Sequence, residues 1–357
     1  MKSMRELIRS RILRAIEQKV FPGCVVGIIR KNGERIVLPF GRFTYEEKAN
    51  PVRKDTIFDV ASITKSIPTS CLALKLIDEG RLKLEDRLIK FVPEFRNSDR
   101  ENVLIKHLLT QTLAFDHRVS LSSSKDKTPD EILEVIFTTE FEDKPGRRYF
   151  YLNATSILLG LVVERIFAKK LDELAEEIFF NPLQMRRTTF FPLKKFEKDE
   201  IMPTEIDNWR GRIIQGEVHD ESAFTLQSKL IVGSAGLFTT VPDLLNFLEM
   251  LLNKGELGRK KYFSPEMVEL MHTNQLELIG EKIGLGWELC QLRYMGQYCT
   301  PKTFGKTGFT GCYCLCDIPK EVGIVLLSNY TFPKRKPDAT LINRVRRDIA
   351  DIVFKNL

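Results

Sequence analysis

Segments rich in Val and Ile lie near both ends of this chain, and a long stretch of helical periodicity separates them. Residues 24–29 and 35–40 flank Lys31-Asn32-Gly33-Glu34, and an Asn-Gly between two β-type runs is a strong hairpin signal. The β pattern returns only at residues 286–293, 304–317 and 321–329, with Ile318-Pro319-Lys320 as the last turn. A strand left unpaired exposes a row of N–H and C=O groups, so the two ends must pair with each other. The expected fold class is therefore α/β (α+β), with an antiparallel sheet built from both chain ends. Helical periodicity in residues 1–20 (Leu7, Ile8, Ile12, Leu13, Ile16) and 340–357 places a helix at each terminus, flanking that sheet.

Between them, residues 84–190 read as mainly helical, with 155–169 as the clearest buried helix. Residues 190–229 are irregular and 243–254 form another amphipathic helix. The expected domains are 1–65 with 225–357 as the sheet domain and 66–224 as a mainly helical insert, the site lying in the cleft between them. A length of 357 residues suits that division.

Composition removes several function classes. The net charge of +7 is spread along the chain with no basic run interleaved with aromatics, so nucleic acid is not an expected partner. Lys334-Arg335-Lys336 reads as a solvated loop. The apolar residues of the first twenty positions are interrupted by charges, unlike a secretory signal, and no uncharged stretch reaches membrane-spanning length. Stable membrane insertion is not expected. Seven cysteines do not form a disulfide framework. Cys312, Cys314 and Cys316 alternate, which on a strand puts them on one face. Three thiols in a row wrap a tetrahedral ion poorly, so they read as small buried apolar groups. Free thiols and the missing signal point to a reducing cytoplasm.

Three short motifs carry chemistry. In Ser62-Ile63-Thr64-Lys65, serine and lysine share one helix face one turn apart, bringing an amine to a weakly nucleophilic hydroxyl. About one or two such spacings are expected by chance in a chain this long, so the argument needs the other two motifs. A helix is expected from near Ser62 to Gly80, with Pro68 making its first turns irregular. Opening that helix, Ser62 would gain from its N-terminal dipole. Tyr151, in Tyr151-Leu152-Asn153, titrates near ~10 in water, but two nearby lysines would bring it towards neutrality. Asn153 offers an amide to orient Lys65 and to bind a substrate carbonyl. In Lys306-Thr307-Gly308 the lysine supplies the second positive charge, the threonine a hydroxyl for the substrate, and the glycine room for close approach. The amides of Ser62 and Phe309 would form an oxyanion hole. Each piece has a plainer use: Ser62 as an N-cap, Tyr151 as a packed aromatic, Lys306-Thr307-Gly308 as a strand entering a bulge. Together and in this order they read as one acyl-transfer site.

The combination resembles the serine β-lactamase and penicillin-binding-protein superfamily, whose motifs include S-x-x-K and K-T-G. Tyr-x-Asn in place of Ser-Asp-Asn is similar to the branch containing class C β-lactamases, D-alanyl-D-alanine carboxypeptidases and related esterases. The similarity extends from Phe58-Asp59-Val60-Ala61-Ser62 through Ile105 to Thr110, Pro145 to Gly160, Asn181 to Met185, Gly233 to Leu237, Gly284 to Trp287 and Phe304 to Gly311. Departures are Leu109-Thr110-Gln111-Thr112-Leu113-Ala114, where the family often has a His and a Gly, and Leu152 in place of a serine, expected to turn away from the site. Esterase-like relatives often carry His at the position of Lys306, so lysine leans towards substrates with a carboxylate. Gly216 to Asp220 resembles a loop lining the cleft in esterase-like members.

The resemblance implies a β-lactamase/transpeptidase-like fold, nucleophile Ser62 acting with Lys65, Tyr151, Asn153 and Lys306, substrate contacts at Thr307, Gly308 and Phe309, and no metal or organic cofactor. The expected activity is a serine hydrolase forming an acyl-enzyme on a small ester or amide. Its alternative is a β-lactamase, D-alanyl-D-alanine carboxypeptidase or D-aminopeptidase. A non-catalytic scaffold is the rival of another class, disfavoured because nucleophile and lysine are both retained. Other hydrolase chemistries lack their motifs. The four histidines (His107, His117, His219, His272) show no H-x-x-x-H, and neither a phosphate loop nor a G-x-S-x-G elbow appears.

Overall fold

The computed structural model describes residues 3–95, 100–116 and 125–357, so His117 lies outside the described residues. Strands β1 (Gly23–Arg30), β2 (Arg35–Gly41), β3 (Glu288–Leu289), β4 (Phe304–Thr307), β5 (Tyr313–Asp317) and β6 (Val322–Ser328) form one six-stranded sheet in the order β2-β1-β6-β5-β4-β3. Every pairing is antiparallel. The two ends of the chain meet inside the sheet, where β1 pairs with β6 from Cys24↔Ser328 to Arg30↔Val322. Both strands are covered on both faces, which explains their near-continuous apolar sequences.

The helices that matter to the site are α1 (Met4–Glu17), α2 (Cys71–Asp78), α3 (Asn153–Phe167), α4 (Glu221–Leu226), α5 (Val241–Leu252) and α6 (Thr340–Lys355). Val26, Ile28, Leu315, Ile324 and Leu326 point to one side of the sheet, where α1 and α6 bury Ile8, Ile12, Val345 and Ile349. Val25, Ile29, Cys314, Cys316, Val325 and Leu327 point to the other, against α5. That second apolar cluster continues without a break into residues 66–224, through Leu72, Leu108, Ile157 and Leu158. Cys312, Cys314 and Cys316 are all buried in it. Residues 66–224 also hold one hairpin, Glu205–Asp207 paired with Arg212–Ile214, in the stretch expected to be irregular.

Three local expectations are corrected. The strand expected over 286–293 shrinks to Glu288–Leu289, because Gly286 and Cys290 both take positive φ (77° and 43°) and a helical turn follows at Leu292–Met295. The run 304–317 divides into β4 and β5 around a turn closed by the Gly308 amide donating to the Cys312 carbonyl at 2.7 Å. The helix expected from Ser62 to Gly80 is three pieces: a 3₁₀ turn at Ala61–Lys65, a distorted turn at Ser66–Ser70 in which Ile67 is extended before Pro68, and then α2. An extended residue before proline is the usual steric outcome. Ser62 therefore sits on a short turn, so the benefit of a long helix dipole at its oxygen is withdrawn.

Candidate active site

The Ser62 turn is held by its backbone neighbours. Asp59 closes a short strand pair, Phe58–Asp59 with Phe238–Thr239. Its buried carboxylate accepts from the Ala61 amide at 2.8 Å and from the His219 amide at 2.7 Å. Burial raises the Asp59 pKa, opposed by those hydrogen bonds. Ala61 takes φ 46°, a left-handed conformation uncommon for a side chain other than glycine. Strain of this kind, about 1–3 kcal/mol, persists where its surroundings over-determine it. Thr64 adds to the hold, its hydroxyl donating to the Ala61 carbonyl at 2.6 Å and accepting from the Leu237 amide at 3.2 Å.

Lys65, 3% exposed, lies directly below the serine. Its Nζ donates to Ser62 Oγ at 3.0 Å, Asn153 Oδ1 at 2.7 Å and the Ser234 carbonyl at 2.8 Å. Burial lowers its pKa; the nearby Tyr151 hydroxyl opposes this and the Lys306 charge reinforces it. The Ser234 carbonyl comes this close because Gly233 lets its chain pass Ser156 and Thr69, where a Cβ would meet the Ser156 carbonyl oxygen at 2.4 Å.

Tyr151 enters from the segment before α3. Its ring faces both lysines, with Lys306 Nζ 4.2 Å and Lys65 Nζ 5.1 Å from the centroid. The residue as a whole is 41% exposed, yet desolvation of its hydroxyl works to raise the pKa. The charges of Lys306 and Lys65 and a hydrogen bond with Ser62 outweigh that and hold it below the ordinary tyrosine value. The backbone on each side is clamped by Gln111: the Phe150 amide donates to the Gln111 carbonyl at 2.7 Å and the Leu152 amide to Gln111 Oε1 at 3.3 Å. Leu152 packs on the main core, turned from the site as expected.

Lys306, on β4, is 4% exposed and donates to Glu288 Oε1 on β3 at 2.5 Å. Burial would lower the lysine pKa, but Glu288 reverses that and raises it. Burial would raise Glu288; Lys306, then Arg293 and the Tyr294 hydroxyl, hold it below the usual carboxylate range. Thr307 and Gly308 follow on the strand. A Cβ at Gly308 would meet the Val60 carbonyl oxygen at 2.2 Å, so only glycine lets the end of β4 lie against the Ser62 turn. That approach places Phe309 next. Its amide donates to no carbonyl among the described residues, and Ser62 lies in a first turn, where amides lack intrahelical acceptors. The Phe309 side chain is half exposed and stacks on His219, centroids 5.7 Å apart.

A cavity of about 370 Å³ opens at the serine, lined among others by Tyr149, Tyr151, Thr307, Phe309, Lys336 and Ile342. Ser62, Lys65, Tyr151, Asn153, Lys306, Thr307, Gly308 and Phe309 are thus brought together. His219 is buried against Glu205 at 2.8 Å, while Asp220 accepts from Asn153 Nδ2 at 2.9 Å. One expectation changes. Residues 334–336 are not simply solvated: Arg335 binds Glu205 and Glu221, and Lys336 donates to the Tyr330 carbonyl beside the cavity. Burial would raise the Glu205 carboxyl, but His219 and Arg335 bring it down to about 2. Sequence reasoning missed Asp59, Gln111, Asp220, Ser234 and Glu288. Asp59, Asp220 and Ser234 lie within stretches that carry the family likeness, Gln111 lies in the departing segment 109–114 and Glu288 directly follows a matching stretch, yet none belongs to a motif with assigned chemistry.

A family model described as Beta-lactamase matches residues 8–347. The chain belongs to the beta-lactamase family. A protein of Escherichia coli (strain K12) named "Putative D-alanyl-D-alanine carboxypeptidase" is 31% identical over 304 residues, 77% of this chain and 69% of its own. Among solved structures, the octameric penicillin-binding protein homologue from Pyrococcus abyssi is 25% identical at a TM-score of 0.73, covering 94% of this chain and 75% of its own. EstCE1, a hydrolase with promiscuous acyltransferase activity, shares the fold at a TM-score of 0.77 and 20% identity, over 98% of each chain. No helix of the described residues is long and apolar enough to cross a membrane.

Proposed function

We propose that this beta-lactamase-family enzyme is a class C-like serine hydrolase that works through an acyl-enzyme at Ser62 on a small ester or amide. The observation that carries the reading is the contact of Lys65 Nζ with Ser62 Oγ at 3.0 Å beside a tyrosine held between two lysines. Ser62 Oγ forms the bond to the substrate carbonyl carbon while its proton passes to the Tyr151 oxygen, whose anionic form Lys65 and Lys306 stabilise. The carbonyl π pair moves onto oxygen, facing the amides of Ser62 and Phe309. When the tetrahedral adduct collapses, the proton passes from Tyr151 to the departing oxygen or nitrogen. Water then attacks the acyl-enzyme by the same route in reverse. Thr307 and Gly308 line the substrate side, and Asn153 orients Lys65.

A second reading, hydrolysis of D-alanyl-D-alanine peptides or β-lactams, is favoured by the name of the Escherichia coli relative and by lysine at position 306. The free thiols of all seven cysteines favour a reducing, cytoplasmic setting, and a small acyl compound is the proposed partner. Intact-mass spectrometry against short-chain esters, a chromogenic cephalosporin and a D-alanyl-D-alanine peptide tests these readings. The substrate giving both a transient adduct and turnover names the class, and Ser62→Ala abolishes both at unchanged melting temperature. Full activity in Ser62→Ala would remove the assignment. No covalent mass gain with any of them, or with a fluorophosphonate, would favour a non-catalytic scaffold.

A further inference from the structure

We propose that Asp220 is the positioning residue that sets the direction of the hydrogen-bond chain running through Asn153 and Lys65 to Ser62; the proposal rests on the acyl-enzyme reading above. Asp220 precedes α4 and caps it. Its Oδ1 accepts from the Ala223 amide at 2.9 Å and from the Ser222 hydroxyl at 2.6 Å. Those bonds fix the carboxylate and leave Oδ2 free for the Asn153 amide nitrogen at 2.9 Å.

An ionised carboxylate only accepts hydrogen bonds, whereas a carboxamide presents a donor at one end and an acceptor at the other. With Asp220 at one end, Asn153 has to turn its Nδ2 there and its Oδ1 towards Lys65 Nζ, 2.7 Å away. Lys65 must then donate to Asn153, as it does to the Ser234 carbonyl at 2.8 Å. Its third N–H points at Ser62 Oγ, at 3.0 Å. A serine oxygen that accepts from lysine has its own hydrogen free for Tyr151. The order is therefore one-way: Lys65 donates to Asn153, Asn153 donates to Asp220, and the Ser62 proton faces Tyr151. The negative charge of Asp220 also favours the protonated Lys65 that this arrangement needs.

Replacing Asp220 by asparagine separates direction from fold. Asparagine caps helices as well as aspartate does. Its oxygen would keep the Ala223 and Ser222 contacts, leaving its NH₂ facing Asn153. Asn153 must then flip and present its own NH₂ to Lys65, putting donor against donor. With whichever substrate turns over, Asp220→Asn is expected to lower kcat about tenfold or more, with KM changed less than about threefold and an unchanged melting temperature. In an Asn153→Ala background the same substitution should change kcat less than about twofold, because its route to Lys65 is already gone. Wild-type kcat in Asp220→Asn, or losses that multiply in the double variant, would overturn the proposal. If Asp220→Asn does not fold, Asp220→Ser also keeps a cap and is put through the same cycle. A Ser62→Ala enzyme that stays active refutes the acyl-enzyme reading itself. An inactive Ser62→Ala beside a fully active Asp220→Asn refutes only the role given to Asp220.

Discussion

Two buried lysines flank Tyr151, and the protein treats them in opposite ways. Lys65 meets three uncharged oxygens and, among the described residues, no carboxylate at ion-pair distance, so burial brings its pKa down. Lys306 meets Glu288 at 2.5 Å, and that partner drives its pKa up. The difference lies in where each backbone runs. The Ser62 turn packs against the 234–239 segment, which offers carbonyls, whereas β4 runs beside β3, which offers a carboxylate. Lys306 is thus a positive charge secured beside Tyr151 by a carboxylate, while Lys65 is held by hydrogen bonds to uncharged oxygens. Burial without an adjoining anion disfavours the charged form of an amine, and a paired carboxylate restores it.

The comparison can be broken most severely at Lys65. Lys65→Met should lower kcat/KM by about 10³-fold, since it removes the charge that stabilises the Tyr151 anion and the hydrogen bond that orients Ser62. Its effect on the melting temperature should be smaller than that of Glu288→Gln, because relief of a buried charge offsets the lost hydrogen bonds to Asn153 and Ser234. Glu288→Gln has the opposite signature. Leaving Lys306 buried without its anion should destabilise the fold by about 3–5 kcal/mol in denaturant titrations. The native pKa of Glu288 is depressed, so its stabilisation is complete above ~4.3 and is lost as the pH falls towards and below the native value. The stability gap between wild type and Glu288→Gln should therefore narrow in acid.

Lys306→Met sharpens the contrast through pH. Removing the largest charge that lowers the Tyr151 pKa, and freeing Glu288, both raise it. The acid limb of kcat/KM should move to higher pH by about one unit or more. An unmoved limb would mean that Tyr151 does not take the serine proton. The smallest effect is expected from Gln111→Ala, which removes the side-chain bonds to Leu152 and Ser156 but leaves the carbonyl clamp on Phe150. About 1–2 kcal/mol of stability and a several-fold loss in kcat are expected, read by melting and steady-state kinetics.

Much of this was legible in the sequence because local periodicity is cheap to read. The Asn32-Gly33 turn joins β1 to β2, and the apolar runs 24–29 and 321–329 are the paired strands β1 and β6, neither at a sheet edge. The terminal helices show their apolar stripes and pack on one face of the sheet. Positive φ is harder to see. At Ala61 and Cys290 no glycine announces it, and tertiary contacts alone impose it. The Ser62 turn and the shortened β3 were accordingly misread as longer regular elements. His219-Asp220 shows the same limit at the site. Side by side in sequence, one is committed to Glu205 and the other to Asn153, because backbone direction sends adjacent side chains to different partners.

By itself, the sequence determined which side chains are available for acyl transfer and that the strands at the two ends must pair. Those follow from residue type and spacing, which are properties of short stretches. Only the tertiary structure decided that Lys306 is paired and Lys65 is not, and that Phe309 is carried to the serine by the close approach of Gly308 to Val60. It also decided that Asp220 stands behind Asn153. Charge pairing, close backbone approach and hydrogen-bond direction depend on groups far apart in the chain. Whether a buried amine meets a carbonyl or a carboxylate is settled when the core closes around it.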